Sequence, residues 1–285
     1  HLSRRRGGAL RDPLLPGALR RDARLDPADR RHDALGGRQL RPVRARGARA
    51  PDVVPQRAQL AAALQAEACE IYSDVDGVYN ADPNVCPQAS LLSEIDYETM
   101  QHMAAAGARV LNAQAVEFAR KAGIQILARK TSDTSGRQTR ISVEAQVQVG
   151  HVAAVVGAEK CSLLTGQFQE SASILEAIQT QGGTVLAMGA GAQGMIMVNR
   201  AQIPGQDSSS LNELTSKHGL QIEDVAGLTL VGAGLLALVP SVLNHLDQAA
   251  TQYRLILASD AMVVLALEAC VLKASLEQLH TQFCA

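Results

Sequence analysis

Residues 73–84 read Ser-Asp-Val-Asp-Gly-Val-Tyr-Asn-Ala-Asp-Pro-Asn and concentrate groups that could do chemistry. Three carboxylates, Asp74, Asp76 and Asp82, fall within nine positions, a spacing that could order backbone amides and basic groups around a nucleotide. Gly77 permits a close backbone approach or a positive φ, and Pro83 fixes the exit of the segment. The segment leaves the predicted strand Cys69–Ser73 directly, and ligands of open α/β sheets bind outside the carboxyl ends of strands. A solvated Asp/Gly turn is the bland alternative for the same residues.

Several elements must position this loop. Ala61–Ala68 reads as the end of a helix that precedes the strand. Asp96–Ala106 (DYETMQHMAAA) reads as a helix with Asp96 as N-cap and Gly107 as its stop. Val110–Lys121 reads as a second helix, with Val110, Leu111, Ala115 and Phe118 near helical spacing. Gly123 breaks it, and Ile124–Ala128 reads as a strand. Strands alternating with helices predict an α/β layer on a largely parallel sheet. His102 reads as a helix-surface residue in preference to a catalyst.

The second half repeats a different pattern. Val152–Val156 and Ser162–Thr165 read as strands, Ser171–Thr180 as a helix, Thr184–Met188 and Met195–Val198 as strands and Ser208–His218 as a helix. The series resumes with Leu228–Val231, the helix Val239–Ala250, the strands Arg254–Ala258 and Met262–Ala266, and the helix Leu272–Phe283. Two rounds of strand–helix–strand–strand–helix are the main organisational signal. Val225–Leu243 runs 19 residues without a charge, the length of a membrane span. Its glycines, its proline and the lack of basic flanks favour a buried strand, a turn and a helix start. The five cysteines (69, 86, 161, 270 and 284) contain no C-x-x-C pair; neither a disulfide framework nor a zinc site is expected, and a reducing cytosol is.

Charge divides the 285 residues unevenly. Residues 1–60 hold 15 Arg and 6 Asp with neither Lys nor Glu, a balance of +9, whereas residues 61–285 carry a balance of −10. The overall net charge of −1 excludes a chain that binds nucleic acid by sheer basicity. All seven aromatics follow residue 60, so residues 1–59 have little with which to offset the entropy of ordering. A basic arm is diluted by the interspersed Asp, and a transit peptide should be Ser-rich and poor in acid. Of the ten residue types present in this stretch, all but Ser have codons beginning with C or G. That alphabet is expected of a GC-rich gene translated out of frame. Residues 1–59 are therefore expected to be an out-of-frame or disordered Arg-rich segment of a partial gene.

The string SDVDGVYNADP resembles the nucleotide loop of the amino-acid kinase superfamily, typically (T/S)DVDGVYTADPR. Related loops occur in glutamate 5-kinase and, more loosely, in uridylate kinase. Leu92–Met100 (LSEIDYETM), Ala104–Val116 (AAAGARVLNAQAV) and Glu117–Lys121 (EFARK) resemble the aspartokinase stretch I-x-Y-x-E-M…GAKVL…R-(S/A)-V-E-x-A. Thr131–Ile141 resembles its closing strand turn. The tandem repeat beyond residue 150 resembles the ACT regulatory domains of aspartokinases, where glutamate 5-kinase carries a different C-terminal domain. The resemblance implies an α/β fold: a partial amino-acid-kinase three-layer sandwich over 60–145, then two ACT-like βαββαβ (α+β) units over 150–222 and 223–285.

The implied reaction is ATP-dependent phosphorylation of the L-aspartate side-chain carboxylate, with ATP and Mg²⁺ entering together as substrate and no metal held by the protein itself. The resemblance makes Asp74 and Arg109 catalytic. Asp74 orients basic groups around the phosphates, and Arg109, where the family usually has Lys, neutralises transferring charge. It assigns nucleotide contacts to Ser73, Asp74, Asp76, Gly77, Tyr79, Asp82, Pro83 and Asn84, the last replacing an arginine. Further implications are a lysine or threonine effector, a homo-oligomer built through the ACT-like units, a cytoplasmic location, and neither nucleic-acid nor membrane partners. The family's K(F/Y)GG strand and GRGGSD segment do not occur before Leu60; the chain alone is expected not to phosphorylate aspartate. The alternative is a non-catalytic regulatory subunit that binds an effector and a catalytic chain. In the repeat, Thr165-Gly166-Gln167 and Gly183-Thr184-Val185 replace the Pro-Gly and Asn-x-Asp signatures of lysine- or threonine-inhibited families.

Overall fold

A computed structural model describes residues 60–61, 64, 66–108, 111, 113–131, 136–145, 148–167, 171–189, 193–201, 203 and 211–284. The Arg-rich segment 1–59 lies outside them, as does Arg109. The first layer holds β1 (Ala68–Ser73), β2 (Glu94–Ile95), α1 (Tyr97–Ala106), α2 (Ala113–Ala122), β3 (Gln125–Lys130) and β4 (Gln138–Ile141). Its strands lie in the order β1-β3-β4-β2. β1 with β3 and β2 with β4 are parallel, whereas β3 and β4 are antiparallel. The largely parallel sheet expected from the sequence is thus mixed, because residues 131–137 are too few for a crossover and allow only an antiparallel return.

α1 forms where the capping chemistry predicts it. The Asp96 carboxylate accepts from Thr99 N at 2.9 Å, and Gly107, at φ 116°, donates to the Ala104 carbonyl. Tyr97, Met100, Met103 and Ala106 are buried, a 3–4 spacing that turns one helix face into the core. The Tyr97 hydroxyl donates to the Ile124 carbonyl at 2.7 Å, and burial raises its pKa. α2 buries Ala115, Val116 and Ala119 while Phe118 stays half-buried. Of the expected stripe, Leu111 and Ala115 are buried, Val110 lies outside the described residues, and Ala119 is buried in place of Phe118. The helix end expected over Ala61–Ala68 gives way to β1 at Ala68.

The remainder is two rounds of one pattern. The first comprises β5 (His151–Gly166), α3 (Ser171–Thr180), β6 (Thr184–Gly189), β7 (Gly194–Asn199) and α4 (Asn212–His218). The second comprises β8 (Gln221–Ala233), α5 (Val239–Gln248), β9 (Tyr253–Ala258), β10 (Met262–Leu267) and α6 (Leu272–Phe283). All six strands join one antiparallel sheet, β6-β7-β5-β8-β10-β9. The two strands expected at 152–156 and 162–165 are a single strand, β5. The exposed Glu159-Lys160 pair, which lies between the two expected strands, sits in an irregularity between Ala158 and Cys161, beyond which the pairing resumes.

The same irregularity divides the pairing. Cys161–Gly166 of β5 pairs with β7, and Ala226–Val231 of β8 pairs with β10. Each central strand therefore gives one half to each round. The long apolar run Val225–Leu243 is the end of β8, a turn at Gly234, a 3₁₀ turn and the start of α5. Among the described residues no helix is long and apolar enough to cross a membrane.

One face of this sheet carries α3 and α4 over Leu164, Ile196 and Val198, and α5 and α6 over Val155, Leu228, Val263 and Leu265. The opposite face buries Leu163, Met197, Ile256 and Val264. It also receives Met100 and Met103 of α1 near Ala154, Val156 and Val231, in a cluster shared with β1 and β3.

Candidate nucleotide site

The segment predicted to do chemistry lies where β1 ends. The Ser73 carbonyl accepts from Thr131 N and Thr131 Oγ1, both at 3.0 Å, which ties the exit of β1 to the exit of β3. Ser73 Oγ lies 3.0 Å from the Val75 carbonyl, to which it donates, and 3.2 Å from Val75 N, closing a tight turn. That turn leaves Asp74 exposed. Asp76 is the carboxylate that holds a cation: its Oδ2 lies 3.2 Å from Arg137 Nε. Its Oδ1 accepts from the Tyr79 hydroxyl at 2.9 Å, and Arg137 Nη2 donates to that hydroxyl at 3.3 Å. Burial, then the Asp76 carboxylate, raises the Tyr79 pKa, so the phenol stays protonated at neutral pH.

Beneath this trio the backbone is pinned by Thr139 of β4. Its fully buried hydroxyl accepts from Val78 N at 2.8 Å and donates to the Leu92 carbonyl at 2.6 Å. Thr139→Val keeps the shape and leaves a buried N–H and a carbonyl unpaired, so it should cost about 2–4 kcal/mol. Urea unfolding checks this, and a loss below 1 kcal/mol, roughly one neutral hydrogen bond, would show that water replaces both contacts. Gly77, at φ 153°, crosses directly over this threonine. Further on, Asp82 accepts from Asn84 N at 2.9 Å and Asn84 Nδ2 at 3.0 Å, and Asp82, Pro83 and Asn84 are all exposed.

Of the residues singled out from the sequence, the structure joins Asp76, Gly77 and Tyr79 in one network through Arg137 and Thr139. Ser73 closes the turn, Asp74 faces solvent, and Asp82 and Asn84 form their own turn. Arg109 lies outside the described residues. Arg137 and Thr139 were not singled out. The signal that could have found Arg137 is its place in Thr131–Ile141, the segment resembling the closing strand turn. Two clefts lie elsewhere. One of about 310 Å³ is lined by Asp96, Glu98, His102, Gly232, Gly234 and Asp260, and one of about 210 Å³ by Thr165, Gly166, Gln193, His218 and Gln221.

Residues 57–128 match the model of the amino acid kinase family. This stretch is similar to the amino acid kinase segment of aspartokinases. The chain is 45% identical over 86 residues to the aspartokinase of Mycolicibacterium smegmatis, covering 30% of this chain and 20% of that one. It is 54% identical over 67 residues to the Pseudomonas aeruginosa aspartokinase, covering 24% and 16%. These sequence matches span a fifth or less of the two relatives.

The fold extends the likeness. The Escherichia coli aspartokinase III structure, in complex with aspartate and ADP, superposes with a TM-score of 0.69 at 19% identity, covering 81% of this chain and 56% of that chain. The Clostridium acetobutylicum aspartate kinase superposes with a TM-score of 0.67 at 18% identity, covering 81% and 57%. The architecture is accordingly a partial amino-acid-kinase α/β sandwich followed by two ACT-like units, as the resemblance implied.

Proposed function

We propose that the chain is the C-terminal part of an aspartate kinase. In the proposed reaction a side-chain carboxylate oxygen of L-aspartate attacks the γ-phosphorus of Mg²⁺-bound ATP. The bond from that phosphorus to the β,γ-bridging oxygen breaks, giving 4-phospho-L-aspartate and ADP. The observation that carries this reading is the loop at the carboxyl end of β1, where Asp76 and Tyr79 hold Arg137. A guanidinium held by a carboxylate and a phenol is preorganised to meet phosphate oxygens. In this reading Ser73, Asp74, Asp76, Gly77, Tyr79, Asp82, Pro83 and Asn84 form the nucleotide surface. Asp74 and Arg109 act on the transferring group, and the location is cytoplasmic.

A second reading, a regulatory subunit without activity of its own, is favoured by the size of the ACT-like half. It would take a lysine or threonine effector and assemble through the ACT-like sheet. One measurement checks the chain alone, and a second separates the readings. Purified chain incubated with ATP, L-aspartate and hydroxylamine should give no hydroxamate alone. Calorimetry should show ATP binding that weakens about tenfold in Arg137→Ala, the loss of one charge-assisted contact. Failure to bind ATP, with retained binding of lysine or threonine, would favour the regulatory subunit.

A further inference from the structure

The arm that carries the second half of the candidate nucleotide surface is fastened to the far end of the chain by one side chain. Asn80, 6% exposed, accepts from Ser90 N at 2.7 Å through its Oδ1, and its backbone carbonyl accepts from Val155 N of β5 at 2.8 Å. The same Oδ1 lies 2.9 Å from Nε2 of His280, which is 3% exposed in the last turns of α6. The Ser90 N–H settles which amide atom of Asn80 faces inward, and an oxygen there can only accept. His280 Nε2 must therefore carry the proton. The other ring nitrogen, Nδ1, is buried and has no hydrogen-bond partner among the described residues.

We propose that His280 is a proton-sensitive latch. Neutral, it clamps the arm Tyr79–Ser90 between β5 and the C-terminal helix; protonated at Nδ1, it leaves the pocket and releases the arm. A proton on Nδ1 would add a buried donor with no acceptor and a charge with no counter-charge. Around it, Ala81 and Cys86 of the arm pack with Val155, Leu276 and Leu279.

The ionisable groups nearby offer no compensation. Cys86 and Cys284 are thiols, the latter pushed up to about 12 by burial and then by Cys86. On α5, His245 stands edge-on to Phe283, and Asp247 accepts from Tyr253. On β5 and β8, His151, Glu159, Lys160, Glu223 and Asp224 are exposed, as are Lys273 on α6 and Asp82 on the arm, while Glu277 on α6 is half-buried. Burial alone lowers the His280 pKa below 6.5. The unfolded chain thus binds this proton more readily than the folded one, so the latch contributes its full stability above about pH 6.5 and loses it as pH falls.

The latch does not depend on whether the chain transfers phosphate, so its test stands apart from the one for activity. Amide exchange by NMR on the whole chain should show protection factors at Asn80, Ser90 and Val155 falling about tenfold from about pH 7.5 to about pH 5.5, with Ile196 of β7 as an unaffected reference. His280→Gln keeps a donor without a titrating group and should hold protection constant across that range. The ring ¹⁵N shifts of the unaltered protein should report the Nε2–H tautomer and a titration below the ordinary imidazole range. A ring that titrates at or above 6.5, an arm whose protection ignores pH, or a His280→Gln protein that keeps the wild-type pH response would each overturn the latch.

Discussion

Gly77→Ala is expected to cost about 3–5 kcal/mol of stability and to distort the candidate nucleotide site in whatever protein still folds. Two separate effects combine. The backbone at φ 153° is one that side-chain-bearing residues rarely adopt. A Cβ there would also lie 2.5 Å from Thr139 Oγ1, 2.8 Å from Leu91 Cδ1 and 3.0 Å from Thr139 N. The leucine can rotate away, but the threonine oxygen is held by Val78 N and the Leu92 carbonyl, and its backbone belongs to β4. Relief must therefore come from the loop. Urea unfolding gives the stability loss, and calorimetry with ATP should show binding lost. A Gly77→Ala protein within 1 kcal/mol of wild type, less than the strain of one such residue, would mean that the loop relaxes freely. Gly123→Ala is the control for backbone conformation alone: φ is 66° and nothing stands within 4 Å of the added carbon.

Gly232→Ala should be comparably damaging, about 3 kcal/mol, for a reason of space alone. Its Cβ would collide with the His151 carbonyl oxygen and come within 3.0 Å of Leu235 Cδ2 and 3.2 Å of Ala153 N. Gly232 pairs with Val152 where the β5–β8 register shifts, and its N–H donates to the Ala261 carbonyl at 3.1 Å. The central strands would have to separate at the end of β8, where Val152 and Gly232 pair. The urea midpoint should fall with little change in slope. A parallel drop in slope would instead indicate that the ACT-like half unfolds by itself.

Local chemistry was the most legible layer. Asp96, Thr99 and Gly107 bound α1 through bonds made within a few residues, so the capping pattern could be read without any partner. The strands β6, β7, β9 and β10 begin and end within a residue or two of their apolar runs, because turns and charged residues limit them on both sides. β5 was misread as two strands. The irregularity that carries Glu159-Lys160 depends on β8 lying alongside, which no local pattern reports. In and before α2, Leu111 and Ala115 are buried as their spacing predicts, and Phe118 alone departs, because the layer that the helix packs on sets the buried stripe.

The functional loop divides in the same way. The string from Ser73 to Asn84 implied a nucleotide through its resemblance to the amino-acid kinase loop, its residue types alone being open to a solvated turn as well. It drew attention to Asp74 as the organising acid, whereas the cation stands with Asp76, 61 positions before Arg137 in sequence. An ion pair across that separation exists only once β4 returns beside β3.

By itself the sequence determined the kind of fold, the place of the chemistry-bearing loop and the repeat of strands and helices, since each of these rests on periodicity or on contacts between near neighbours. Only the tertiary structure decided which carboxylate holds Arg137, how β5 and β8 share themselves between two units, and that Asn80 meets His280 across 200 positions. The physical reason is common to all three. A long-range contact between polar groups leaves no trace in local patterning, and its strength comes from burial that the fold alone supplies.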